Sequence, residues 1–391
     1  MTYNFDTVID RKNTNSLKYD FAEQRGMPSG ILPLWVADMD FQCPVEVKDA
    51  VIRCGEHGIF GYTESGSSYF EAVSSWFSRH HHYEVHKEWL VKTPGIVYAI
   101  VQAIRAYTNE GDSVLIQQPV YYPFKSSVIN NNRTLVNSPL LYQDGKYSID
   151  FEDFEQKIIT HKVKLFILCS PHNPVGRVWT KDELLEIGNI CLKHGVIVVS
   201  DEIHADFTYS GYQHTVFSTV RPEFADISLI CTAPSKTFNL AGLQCSNIWI
   251  EDEDLRKKYI KTCHASGYSQ LNTAGLAACE AAYTYGDEWL AQLTSYLSNN
   301  LTYLRTFLKE NLRKVTLVEP EGTYLVWLDF SKTGLHDDEI HNLIVHKAGL
   351  WLDDGLMFGP EGSLFQRINI ACPLIILQKA LKQLSEAFTL E

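Results

Sequence analysis

The sequence predicts an α/β protein: a large domain on a doubly wound, mostly parallel sheet, joined to a smaller α+β domain. Three observations carry this. Strand-like and helix-like patterns alternate from about residue 45 to 282, as in a sheet covered by helices on both faces. A long helical stretch over 289–312 then leads the chain away. Beyond it, strand-like runs at 323–330 and 367–371 interleave with helical ones at 337–348 and 375–388. The expected division is 45–288 for the large domain and 289–391 for the small one, with 1–44 completing the small domain. A chain of 391 residues exceeds one ordinary core, and 45% hydrophobic residues can fill large ones.

Within the large domain, three apolar strands end in residues that carry chemistry. The run 165–169 passes into Ser170-Pro171-His172-Asn173-Pro174, where prolines restrict the backbone and fix the direction of the Asn173 amide. Asn-Pro is also a good turn former that needs no ligand. Residues 196–199 are four consecutive β-branched side chains, the mark of a buried parallel strand. Asp201 stands at the carboxyl end of that strand, where open α/β sheets place ligands. Capping the next helix would be an equally ordinary task for this acid.

The third run, 227–231, leads to Lys236 within Pro234-Ser235-Lys236-Thr237-Phe238-Asn239. Small and hydroxylic neighbours let a flat cofactor approach the backbone, and desolvation at an apolar strand end lowers a lysine pKa. This is the usual setting for covalent attachment of pyridoxal 5′-phosphate (PLP), although an isolated Ser-Lys-Thr is more often a surface loop. Asparagine, aspartate and lysine in that order, each ending an apolar strand, are far more specific together than singly. Asp201 can keep the pyridine nitrogen of PLP protonated, which makes the ring an electron sink. Asn173 can donate to the phenolate oxygen, and Ser235 offers a hydroxyl to the phosphate.

With these motifs the chain resembles the fold type I PLP-dependent enzymes, the aspartate aminotransferase superfamily, from about Asn4 to Phe388. Four segments are similar to its cystathionine β-lyase/C–S lyase branch, the MalY/PatB type. They are Leu34-Trp35-Val36-Ala37-Asp38-Met39-Asp40-Phe41, the run from Ser200 to Asp206, the run from Ser235 to Gln244, and the run from Gly322 to Asp329. The resemblance implies that the backbone N–H groups of Gly95, Ile96 and Val97 bind the phosphate. A helix-like stretch opens there, beginning at Lys92 and running to Gly111, and a helix start favours an anion. It implies that Tyr121, which follows a strand at 114–117, stacks on the cofactor ring, with Tyr122 as the alternative. His204 stands where many relatives carry a tyrosine, and it either touches the cofactor or lies behind it. Arg367, in an alternating run at 365–372, is implied to clamp the substrate carboxylate with its planar fork, beside Asn173. Tyr62 is implied to reach the phosphate of the partner subunit's cofactor, so two complete sites require a homodimer, with each site between domains at the dimer interface. One departure stands out. Gln244 replaces a common phosphate-binding arginine and Ala233 a common serine, which shifts phosphate neutralisation to backbone N–H groups and hydroxyls.

The implied activity is β-elimination on cystathionine and related S-substituted L-cysteines, giving a thiol, pyruvate and ammonia, with Lys236, Asp201 and Tyr121 catalytic. An aminotransferase is the alternative, since it shares Lys236, Asp201, Asn173 and Arg367; a PLP fold kept as a binding or regulatory module is a third reading. Net charge −13 without a basic stretch argues against nucleic acid or anionic membrane as the partner. Nine cysteines without paired or metal-like spacing fit a reduced cytoplasm. The N-terminal residues lack the apolar core of a signal peptide, and no apolar run is long enough to span a bilayer. His80-His81-His82 reads as a solvated helix end rather than a metal cluster, because adjacent side chains diverge. Trp327 reads as core strand packing.

Overall fold

The structure is a computed structural model that describes residues 2–389; Met1, Leu390 and Glu391, at the outer ends of the expected segments 1–44 and 289–391, lie outside the described residues. Seven strands form the main sheet: β1 (Leu90–Thr93), β2 (Ser113–Ile116), β3 (Thr134–Asn137), β4 (Leu165–Cys169), β5 (Ile197–Asp201), β6 (Ser228–Thr232) and β7 (Ser246–Trp249). Their order is β1-β7-β6-β5-β4-β2-β3. Neighbours are parallel, except that β7 runs antiparallel to both β1 and β6. Alternate strand residues face opposite layers. Ile167, Val199, Leu229 and Cys231 join the core shared with helices Ile96–Tyr107 and Glu253–Ala265, whereas Phe166, Leu168, Val198 and Ile230 join the core shared with helix Lys181–His194. Covered on both faces, β4 and β6 are buried along their whole length.

Helix Asp287–Asn311 leads to a second, antiparallel sheet of β8 (Thr316–Val318), β9 (Leu325–Asp329), β10 (Asp353–Asp354) and β11 (Phe365–Asn369), ordered β8-β9-β11-β10. Trp327 stacks on Phe365 in its core. The N-terminal segment joins this part of the molecule, with Leu32–Pro33 pairing in parallel with Leu350–Trp351. Within the segment, charge ties its two halves together: Arg11 meets Asp38 at 2.6 Å and Asp40 at 2.8 Å, and the buried Lys18 meets Asp40 at 2.9 Å.

Three local expectations change. The helix expected to open at residue 92 and run to 111 is preceded by β1 and spans Ile96–Tyr107. The helix expected over 337–348 is α-helical to Asn342 and continues as a π turn over Leu343–Lys347. The expected solvated end at 80–82 applies to His82 alone. His81 lies four residues after Phe77 on the buried stripe of helix Ser67–His81, with Nε2 2.8 Å from the Asp206 carboxylate, while His80 stacks on Trp76. Among the described residues, no group of His, Cys, Asp or Glu is placed to hold a metal ion, and no helix is long and apolar enough to cross a membrane.

Candidate active site

The strand register brings three chain segments level. Cys169 of β4 pairs with Asp201 of β5, and Asp201 pairs with Cys231 of β6, so three neighbouring carboxyl ends lie side by side. From them emerge Asn173 in the loop after β4, Asp201 as the last residue of β5, and Lys236 in the helical turn Pro234–Thr237 after β6. Opposite them begins helix Ile96–Tyr107. Its N-cap, Gly95, has φ 143° and provides no side-chain cap, so the first-turn N–H groups stay open.

Asn173, Asp201, Lys236, Gly95, Ile96, Val97, Tyr121, His204 and Ser235 all line one cavity of about 230 Å³, together with Ala37 and Gln244. Tyr122, 36% exposed, is not in its wall, so of the two tyrosines it is Tyr121 that faces the site. Tyr62 also lies outside it: its side chain is fully exposed, between helices Val45–His57 and Ser67–His81.

Burial sets the electrostatics. The Asp201 carboxyl accepts a hydrogen bond from the Ile203 N–H at 3.2 Å. Desolvation pushes its pKa up to about 7, against the pull of that bond and of Lys236. The Lys236 amine donates to the Ala37 carbonyl at 2.8 Å, and burial brings its pKa down to about 8, opposed by Asp38 and reinforced by Arg367. His204 is buried, with Nδ1 unpartnered; desolvation holds its pKa well below the ordinary value, so the ring is neutral.

Arg367 sits in β11 directly across from Asp353, with which it forms a buried ion pair. Its guanidinium also donates to the Trp35 carbonyl at 2.8 Å and to Asn173 Oδ1 at 3.0 Å, over the Phe358 ring at 4.9 Å. Arg367 is therefore behind the cavity wall and reaches it through Asn173. With the amide oxygen turned to Arg367, Asn173 offers its N–H₂ group to the cavity.

Sequence reasoning missed several members of this arrangement. Ala37 lies in the motif from Leu34 to Phe41 but acts through its carbonyl, which no side-chain type announces. Tyr324 donates to the same carbonyl at 3.1 Å. Asp353 is brought to Arg367 only by strand pairing.

The donor set fits PLP. Open helix N–H groups suit its phosphate, a buried carboxyl its ring nitrogen, an amide its phenolate oxygen, an aromatic ring its face, and a lysine of lowered pKa its aldehyde.

Known proteins resemble this chain along nearly its whole length. The family model for aminotransferase class I and II matches residues 29–384. Cystathionine beta-lyase PatB of Bacillus subtilis is 43% identical over 386 residues, covering 99% of this chain and 100% of that protein. Cystalysin from Treponema denticola, solved with pyridoxal 5′-phosphate, superposes with TM-score 0.96 at 37% identity, covering 100% of this chain and 99% of that one. A PLP-bound C–S lyase from Staphylococcus hominis gives TM-score 0.93 at 35% identity, covering 99% and 98%.

Proposed function

The chain belongs to the class I and II aminotransferase family, and from that premise we propose that it is a PLP-dependent carbon–sulfur β-lyase. Its substrates are cystathionine and related S-substituted L-cysteines, and its products a thiol, pyruvate and ammonia. One observation carries the reading: Asn173, Asp201 and Lys236 converge on a single cavity in a chain 43% identical over 386 residues to a cystathionine β-lyase.

Bound PLP supplies an electron sink for the charge left when a bond to the substrate α-carbon breaks. The protein supplies the rest. Lys236 would hold the cofactor through its amine, and the freed Nζ would take the α-proton, a task suited to an amine of pKa about 8. Asp201 would hold a proton on the ring nitrogen, and a positive charge there would favour the ionised form of the buried carboxyl. The N–H groups of Gly95, Ile96 and Val97, with the Ser235 hydroxyl, hold the phosphate in place of the positive charge that Gln244 lacks. Tyr121 would pack on the ring, and neutral His204 lines the same cavity without adding charge. Arg367 and Asn173 orient the substrate carboxylate, so that the α-proton faces Lys236 and the β-sulfur is free to leave as thiolate.

The larger assembly belongs to the same proposal. Segments 1–44 and 289–391 form one domain around residues 45–288, supported by the pairing of Leu32–Pro33 with Leu350–Trp351. The enzyme is a cytoplasmic homodimer in which Tyr62 completes the partner's site. Tyr62 lies on a stretch where Ile59 and Phe60 are also exposed, apolar surface of the kind a second subunit covers. Replacing Lys236 by Ala tests the core of the reading: thiol release from cystathionine is expected to cease, and wild-type turnover would contradict it.

A further inference from the structure

The backbone of the segment from Leu34 to Phe41 is gripped along its middle by side chains from several parts of the fold. All five carbonyls from Trp35 to Met39 accept hydrogen bonds from side chains. Arg367 donates to Trp35 at 2.8 Å, and Asn239 and Arg11 donate to Met39 at 2.9 and 3.2 Å. Asn369, buried in β11 two residues after Arg367, donates its Nδ2 group to both Val36 and Asp38 at 2.6 Å. Its Oδ1 accepts from the Ala371 N–H at 2.7 Å, which fixes the amide so that both of its N–H bonds meet those carbonyls. The carbonyl between them, that of Ala37, instead receives Lys236 Nζ at 2.8 Å and the Tyr324 hydroxyl at 3.1 Å.

We propose that the Ala37 carbonyl is the docking point of the free Lys236 amine, and that Asn369 is the positioning residue that aims it. A neutral amine that acts as a base must point its lone pair at the proton it takes. One N–H held by a fixed carbonyl stops rotation about the Cε–Nζ bond and confines the lone pair to the remaining positions of the tetrahedron. By gripping the carbonyls on either side, Asn369 keeps Ala37 from turning with solvent or substrate. The N-terminal strap is thereby a template for the lysine and not only a cover for the site. The inference rests on Lys236 as the cofactor-bearing residue.

The test uses the full chain freed of cofactor. PLP is added, and covalent capture is followed by the growth of its visible absorption band. Asn369→Ala is expected to slow capture by about 10-fold or more, while PLP affinity in a Lys236→Ala background changes by less than about two-fold on adding Asn369→Ala. In the reloaded variant, the deuterium isotope effect on α-proton removal is expected to rise, which loss of stability alone does not produce. Capture at the wild-type rate with an unchanged isotope effect would overturn the inference. Covalent capture by Lys236→Ala itself would overturn the underlying role of Lys236 instead, so the two failures are distinct.

Should Asn369→Ala fail to fold, Tyr324→Phe removes one hydroxyl and leaves the strap intact. Asp38, Asp201 and Arg367 are the charges acting on the amine, with neutral His204 and Tyr324 beside it, and this variant alters none of the charges. With the Ala37 carbonyl left to lysine alone, the ammonium form gains, and the midpoint of the pH profile for capture is expected to move upward by about 0.3 unit or more. An unmoved midpoint would overturn the docking role of that carbonyl.

Discussion

Asp201 and Lys236 share one cavity, and burial moves both towards neutrality, the acid to about 7 and the amine to about 8. These shifts cost stability in a pH-dependent way. An unfolded chain releases the aspartate proton near ~4, so between ~4 and about 7 the folded, cofactor-free protein binds more protons and its stability falls as pH rises. Asp201→Asn removes that cost. The variant without cofactor is expected to melt above wild type at about pH 8, with the gap closing towards pH ~4. Once PLP is added it is expected to be about 10²-fold slower or worse, because the ring nitrogen loses its counter-charge. A melting gap independent of pH would assign the effect to packing. Lys236 acts in the opposite sense: between about 8 and an unfolded value of ~10.4 the unfolded chain holds the extra proton, so stability rises with pH across that window. Asn173, Asp201 and Lys236 were legible in the sequence because their side-chain types and strand-end settings are what the chemistry requires. Ala37 was not, since a carbonyl carries its part and every residue has one.

Helix Lys181–His194 shows what an element reveals and hides. It starts with a capping box, Thr180 accepting from the Glu183 N–H at 3.2 Å and Glu183 accepting from the Thr180 N–H at 2.8 Å. Gly188 in its middle reads as a weakness, but a Cβ there would lie 2.1 Å from the Phe224 ring. Gly188→Ala is expected to destabilise the protein by about 1–3 kcal/mol despite its better helix propensity, as a denaturant titration can measure. Sequence pattern did place β5, because a β-branched run buried on both faces leaves few other options. It could not give the surroundings of Arg367, since Asp353 and the Trp35 carbonyl reach it by strand pairing and by the return of the N-terminal segment. The same limit explains His81, whose burial beside Asp206 depends on how helix Ser67–His81 sits in the fold.

At the scale of the whole molecule, the alternating pattern over 45–282 was enough to expect the doubly wound sheet, but strand order and the reversed β7 come only from the pairing itself. The proposed homodimer can be tested through the division of labour it implies. If Tyr62 serves the neighbouring site, mixing Lys236→Ala chains with Tyr62→Ala chains under exchanging conditions makes heterodimers with one complete site. Activity is then expected to rise above that of either variant alone, and no gain would place Tyr62 outside the partner's site. The central claim is the fate of the substrate once the α-proton has left. Purified, PLP-loaded protein given L-cystathionine and no keto acid is expected to release pyruvate and thiol in large excess over enzyme. Turnover that appears only when a keto acid is added, without thiol, would contradict the account.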